Sequence, residues 1–470
     1  MCGSLSLPPP FGKIPKNNRS ALKNMRKSKR ESRGLEKVPA FLLAMAGGLA
    51  CPALAQDVPS NSQAAYPTNQ PAWLNPAQPL TLSYGAFDLH PRLRSTTIYD
   101  DNILFATKGQ QSDVISQIAP GMQILGGDRQ TLETYLNWAE KRNYGLNLTQ
   151  LSPASLVIQP AESWPDKFLL LDYSPQWQEF ASHSANDSLD QFVTANGVWP
   201  MAKLIVGFQE NYSDQKTIVS ETATRSAVQQ NHSELDACYV LNDKFSVATA
   251  FTRDEVDYPE STNLVGYTEW AGSVSLNRQV GATLNVSSVT AGGLDEVVAG
   301  QNQQFLQEGL RARYSYSERF GMDGSLGGEY RQYDSGHSAT FTPYFSFGAV
   351  YQPWERMYLR IGVARKQFAS LSRGYAYTST GGYLTLHKDI TDRLSLLTEL
   401  NYFQYDYTST DNTSNSSQPT DYYSCKLTAD YKLWKHVTVQ VYYVFRGDGL
   451  LENSTVLQDN QLGFQAAVRF

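Results

Sequence analysis

Cysteine and histidine are scarce in this chain, with four of the first and six of the second in 470 residues. Four scattered thiols cannot build a disulfide framework or a zinc site. The histidines (His90, His183, His232, His337, His387 and His436) lie singly, with no pair at metal-ligand spacing and no Gly-x-Ser-x-Gly elbow. No cofactor or metal is therefore expected, and the chain reads as a non-enzyme. Charge is also thin: 18% of residues, net −6, with no basic footprint for nucleic acid. No segment after the N-terminal region approaches the roughly 20 apolar residues of a membrane-spanning helix. Aromatics, by contrast, reach 12%, with 28 Tyr, 20 Phe and 8 Trp. They sit in short alternating segments between turns rich in Asn, Asp, Ser and Gly.

The N-terminus reads as an export signal over residues 1–55. Lys23, Lys27, Lys29, Arg30 and Arg33 form a basic region, residues 39–49 an apolar one, and Ala53-Leu54-Ala55 a small-x-small cleavage site. Translation starting at Met25 would give a region of ordinary length. Residues 56–82, rich in Pro, Ala, Gln and Asn, read as a disordered periplasmic leader. The remainder, 83–470, is the folded unit.

That unit alternates with period two. Val437, Val439, Val441, Tyr443 and Phe445 alternate with Thr438, Gln440 and Arg446, while Met357, Leu359, Ile361 and Val363 alternate with Arg360 and Ala364. A soluble sandwich shows the same alternation, but its strands average about 5 or 6 residues. Here many segments run about 10 to 13, the length of a tilted membrane-crossing strand. Tight turns fall near Pro200, Asn242, Gln279, Glu318, Pro353, Thr391 and Lys435. Longer polar stretches separate them: 213–231, 254–264, 291–303, 334–338, 369–376 and 406–420. Short turns at one end and long loops at the other suit an outer-membrane barrel. Trp199, Phe245, Phe320, Trp354 and Trp434, beside the short turns, suit an interfacial girdle. The expectation is an all-β, antiparallel transmembrane barrel of about 18–20 strands, closed because lipid cannot satisfy an open edge.

If apolar positions face lipid, their alternates face the lumen. Arg311, Arg313, Glu329, Arg331, Arg360, Lys366, Glu399, Lys426, Asp430 and Arg446 are then inward, and would either set solute selectivity or form a salt-bridged filling. Tyr344, Tyr358, Tyr383 and Tyr442 join them, as does Cys238, whereas Cys425 points to lipid, so these two thiols are not expected to pair. Asp100, Asp101 and Asp113 offer oxygen ligands for a hard cation, but without the spacing of a calcium loop they read better as turn formers. The expected partners are outer-membrane lipid and lipopolysaccharide, with carbohydrate as a candidate solute. A porin-like channel, a polysaccharide export barrel and a surface-displayed interaction barrel all remain open.

The final strand, with Leu462, Phe464, Ala466, Val468 and the terminal Phe470 on one face, resembles the signal read by the barrel-assembly machinery. The stretch Tyr99-Asp100-Asp101-Asn102-Ile103, followed by Ser112-Asp113-Val114-Ile115 and Ala119-Pro120-Gly121, resembles the outer-membrane β-barrel porin family associated with exopolysaccharide loci. Leu171-Asp172-Tyr173-Ser174-Pro175 and the segment 204–212 are similar too. The resemblance covers most of the chain after Leu89, on short motifs. It implies a barrel and a role in polysaccharide export or surface biology, and no catalytic residues.

Overall fold

A computed structural model describes residues 50–51, 82–127 and 167–469, short loop stretches excepted. Nearly all of the export segment and of the leader, and Phe470, lie outside the described residues. Eighteen antiparallel strands form one sheet: β1 (Phe87–Asp100), β2 (Asp113–Gly127), β3 (Phe168–Tyr173 and Gln176–Phe180), β4 (Ser188–Pro200), β5 (Leu204–Val219), β6 (Thr224–Asn242), β7 (Phe245–Asp257), β8 (Tyr267–Gln279) and β9 (Leu284–Val297). They continue with β10 (Gln303–Ser317), β11 (Phe320–Tyr333), β12 (Thr340–Trp354), β13 (Met357–Ala369), β14 (Tyr375–Asp389), β15 (Leu394–Ser409), β16 (Pro419–Trp434), β17 (Val437–Leu450) and β18 (Val456–Arg469). β3 counts as one strand because its register on β2 and β4 carries across the break. Pro175 sits at that break and has no N–H to give the ladder. Closure comes from β18 pairing with β1, from Gln461↔Asp100 to Arg469↔Arg92.

The two faces are inverted relative to a soluble protein. Leu326, Phe464 and Leu310 are 65%, 51% and 54% exposed, whereas Gln461, Gln178 and Arg331 are at most 1% exposed. An apolar outer face and a polar inner one is the arrangement that a bilayer imposes on a closed sheet. A sandwich would place its leucines between two sheets. Around the short turns the outer face carries Trp199 stacked on Phe208 (5.6 Å), Phe320 against Tyr351 (6.2 Å), and exposed Trp354 and Trp434.

Seven turns at one end span two to four residues, at the positions expected. The segment between Gly127 and Lys167 joins β2 to β3 at this same end and lies outside the described residues. The opposite connections are shorter than the polar stretches suggested. β5 runs to Val219 and β6 begins at Thr224, so most of 213–231 is strand; likewise β9 continues to Val297. A 14-residue strand at about 3.3 Å per residue is ~46 Å long. Tilted by ~40°, it rises about 35 Å, past an apolar band of about 25 Å. Beyond that band both faces meet water, alternation disappears, and a strand looks like a loop in sequence.

Candidate functional site: the inner wall

On the strands the more buried face carries the polar residues, and the ten charged residues from Arg311 to Arg446 are buried or half-buried there. Arg331 donates from Nε to Glu329 Oε1 (2.7 Å) and from Nη1 to Gln303 Oε1 (2.9 Å) and to Asp295, with its guanidinium 5.1 Å from the Phe305 ring centroid. Arg311 and Arg313 share Asp323 at 3.8 and 3.7 Å. Lys426 Nζ is 3.5 Å from Glu399 Oε2, and Asp430 accepts from Gln440 Nε2 at 2.8 Å. Arg360 lies 5.0 Å from the Tyr383 ring centroid, and Lys366 feels Glu269 and Asp295. Arg446 donates to Asp459. Tyr358 and Tyr442 are buried on the same face. Cys238 is inward and Cys425 outward; both are free.

The inward cations are unevenly spread around the wall, while carboxylates occur all round it. β4 to β9 contribute Asp190, Glu234, Asp236, Asp254, Glu269 and Asp295 to the interior, with His232 held between Asp254 (2.5 Å) and Glu234 (3.8 Å). Arg225, near the loop end of β6, lies over Phe180 and donates to Gln178 Oε1 at 2.9 Å. The other inward guanidinium and ammonium groups come from β10 to β13 and from β16 through β1. On β1, Arg92 donates to Asp172 at 2.5 Å and to Ser174, and Arg94 to Gln176 at 2.7 Å. Acidic groups outnumber basic ones on the described inner wall.

Three groupings join residues whose partners had no sequence signal. The carboxylates of Asp100 and Asp101 group with Asp459, whereas that of Asp113, opposite Asp100 in the β1–β2 register, stays outside the group. Their oxygens are engaged: Asp100 by Asn102 N–H (2.8 Å) and Gln461 Nε2 (2.8 Å), Asp101 by the Asn460 N–H and side-chain amide (both 2.7 Å). The group is a latch across the closing β1–β18 seam, and Asp113 instead caps Val114, Ser182 and His183. Next, the loop after β1 tucks inward. Ile103 is fully buried with Ile98, Ile115, Phe180, Tyr442 and Val444, and Asn102 clamps the loop through Ala106 and the Gln458 carbonyl. Finally, Tyr377, Phe403, Tyr405 and Tyr422 form an aromatic patch on the inner wall. Each brings together residues far apart in sequence. Leu462 and Phe464 face outward, and Val468 pairs with Leu93 and Val437.

No family model and no curated protein matches the chain. Among solved structures it is similar to OpdQ of Pseudomonas aeruginosa, at 9% identity over 82% of this chain and 97% of that one, with a TM-score of 0.42. OccAB4 of Acinetobacter baumannii gives 11% identity, 84% and 100% coverage, and 0.42. An outer-membrane-expressed OmpT of Vibrio cholerae gives 9%, 83% and 100%, and 0.34.

Proposed function

We propose that the protein is a porin-like channel of a bacterial outer membrane, passing hydrophilic solutes through a lumen of mixed charge, and that it acts without catalysis. The strand count is the observation that carries this reading. Barrels of about eight strands fill with their own side chains, whereas barrels of 16–18 strands leave an aqueous passage. Eighteen strands with a polar inner wall belong to the second class. The inward charges supply the field that discriminates among solutes. A barrel whose purpose is surface display would carry long loops. Here the connections opposite the short turns span only four to twelve residues, which supports transport over display.

Planar-bilayer recording of the purified chain tests the proposal. Discrete, long-lived conductance steps are expected. Their absence at every voltage and salt concentration tried would overturn it.

A further inference from the structure

At the short-turn mouth the inner wall is indented by a cavity of about 420 Å³. That volume lies within the range of about 300–1,000 Å³ usual for small-molecule sites. Adjacent strands place its groups in register: Tyr358 opposite His387, Asp389 opposite Ser395, and Ser395 opposite Asp430. The Tyr358 and His387 rings pack tilted against each other, with centroids 4.9 Å apart and planes 31° apart. Asp430, only 6% exposed, has one carboxylate oxygen on Gln440, while Oδ2 has no hydrogen-bond partner among the described residues. A buried carboxylate oxygen left so is costly unless something donates to it. Thr438 adds a hydroxyl from β17.

We propose that this cavity binds a neutral, hydroxyl-rich ring solute, a mono- or disaccharide, on its way through the barrel. The proposal rests on the channel reading for how the solute arrives. Tyr358 and His387 line the cavity, and their ring edges offer apolar contact to the C–H groups of a sugar ring. Asp430 Oδ2 accepts from a ring hydroxyl, and Ser395 and Thr438 both donate and accept. The turns around the mouth are balanced in sign. Arg356 is paired with Asp392 at 2.5 Å, and Arg393 and Lys432 are offset by Glu355 and Asp389. A charged solute would meet its own sign there as often as the opposite one. A neutral hydroxylated one meets neither penalty and can still satisfy Asp430.

The test is calorimetric titration of the full-length barrel in detergent with glucose and maltose, beside glycerol, glucosamine and inorganic phosphate. Saturable sugar binding at roughly millimolar Kd is expected, with glycerol, which has no ring, at least about tenfold weaker. Asp430→Asn keeps an acceptor for Gln440 but removes the charged one, and should weaken sugar binding by about tenfold or more. Tyr358→Leu should weaken it similarly. Heat-modifiable gel migration reports whether each variant is folded; should Tyr358→Leu fail, the near-isosteric Asp430→Asn carries the test. No saturable sugar binding, unchanged binding in folded Asp430→Asn, or binding of glucosamine or phosphate alone would overturn the proposal. Conductance without sugar binding would sink this inference and leave the channel. Sugar binding without conductance would do the reverse.

Discussion

Arg331→Met removes the centre of the most enclosed charge network in the barrel. Arg331, Glu329 and the Asp295 side chain are each about 1% exposed, and the guanidinium serves Asp295, Glu329 and Gln303 while lying over Phe305. Methionine retains the aliphatic volume and deletes the charge, leaving two enclosed carboxylates without their direct counterion. Breaking a buried ion pair from one side typically costs about 3–5 kcal/mol. Lys366 lies near enough to Asp295 to offset part of this, so the expected loss is about 3 kcal/mol. Urea-driven unfolding from lipid vesicles, followed by tryptophan fluorescence and gel migration, gives the number. The triple change Asp295→Asn, Glu329→Gln, Arg331→Met should regain most of it, because the loss comes from orphaned charges and not from missing volume. A loss under about 1 kcal/mol, or a triple variant weaker than the single one, would refute the reasoning.

Neighbouring residues on β8 provide a test of sidedness. Val274→Arg places a charge on the lipid face and should cost about 2–4 kcal/mol, while Ser275→Arg, inward, should stay within about 1 kcal/mol in the same unfolding assay. A Cβ at Gly463 would come within 2.0 Å of Tyr442 Cζ on the neighbouring strand, so Gly463→Val should overpack the closing strand by about 1–3 kcal/mol and lower the folded fraction on gels. Because acidic groups predominate on the described inner wall, reversal potentials in a salt gradient should show cation preference. Asp254→Asn with Glu269→Gln should reduce that preference, and an unchanged potential would remove those side chains from the conduction path.

The fold was legible wherever strands cross the apolar band. Val437 to Phe445 and Leu462 to Val468 alternate because one face meets lipid and the other water. The short turns were legible because Asn-Asp-Lys at 242–244 and Thr-Asp-Arg at 391–393 carry turn chemistry. The strand ends were not legible, since beyond the band both faces are polar. The same period gives the charged residues their common face, but not their partners. Arg446 and Asp459 meet only because adjacent strands set their register, and Asp101 meets Asn460 across 359 positions because the sheet closes. That partner alters one expectation. Arg446 is spent on the Asp459 pair near the seam, so it is a poorer probe of selectivity than its inward position suggested.

Thiol labelling along β10 tests the central claim most directly. In vesicle-embedded protein with the native cysteines replaced, cysteines at 307, 311 and 313 should react with a water-soluble, membrane-impermeant reagent. Those at 306, 310 and 312 should react only with a lipid-soluble one. Uniform reactivity along the strand, or the opposite phase, would contradict a closed cylinder with water within and lipid without.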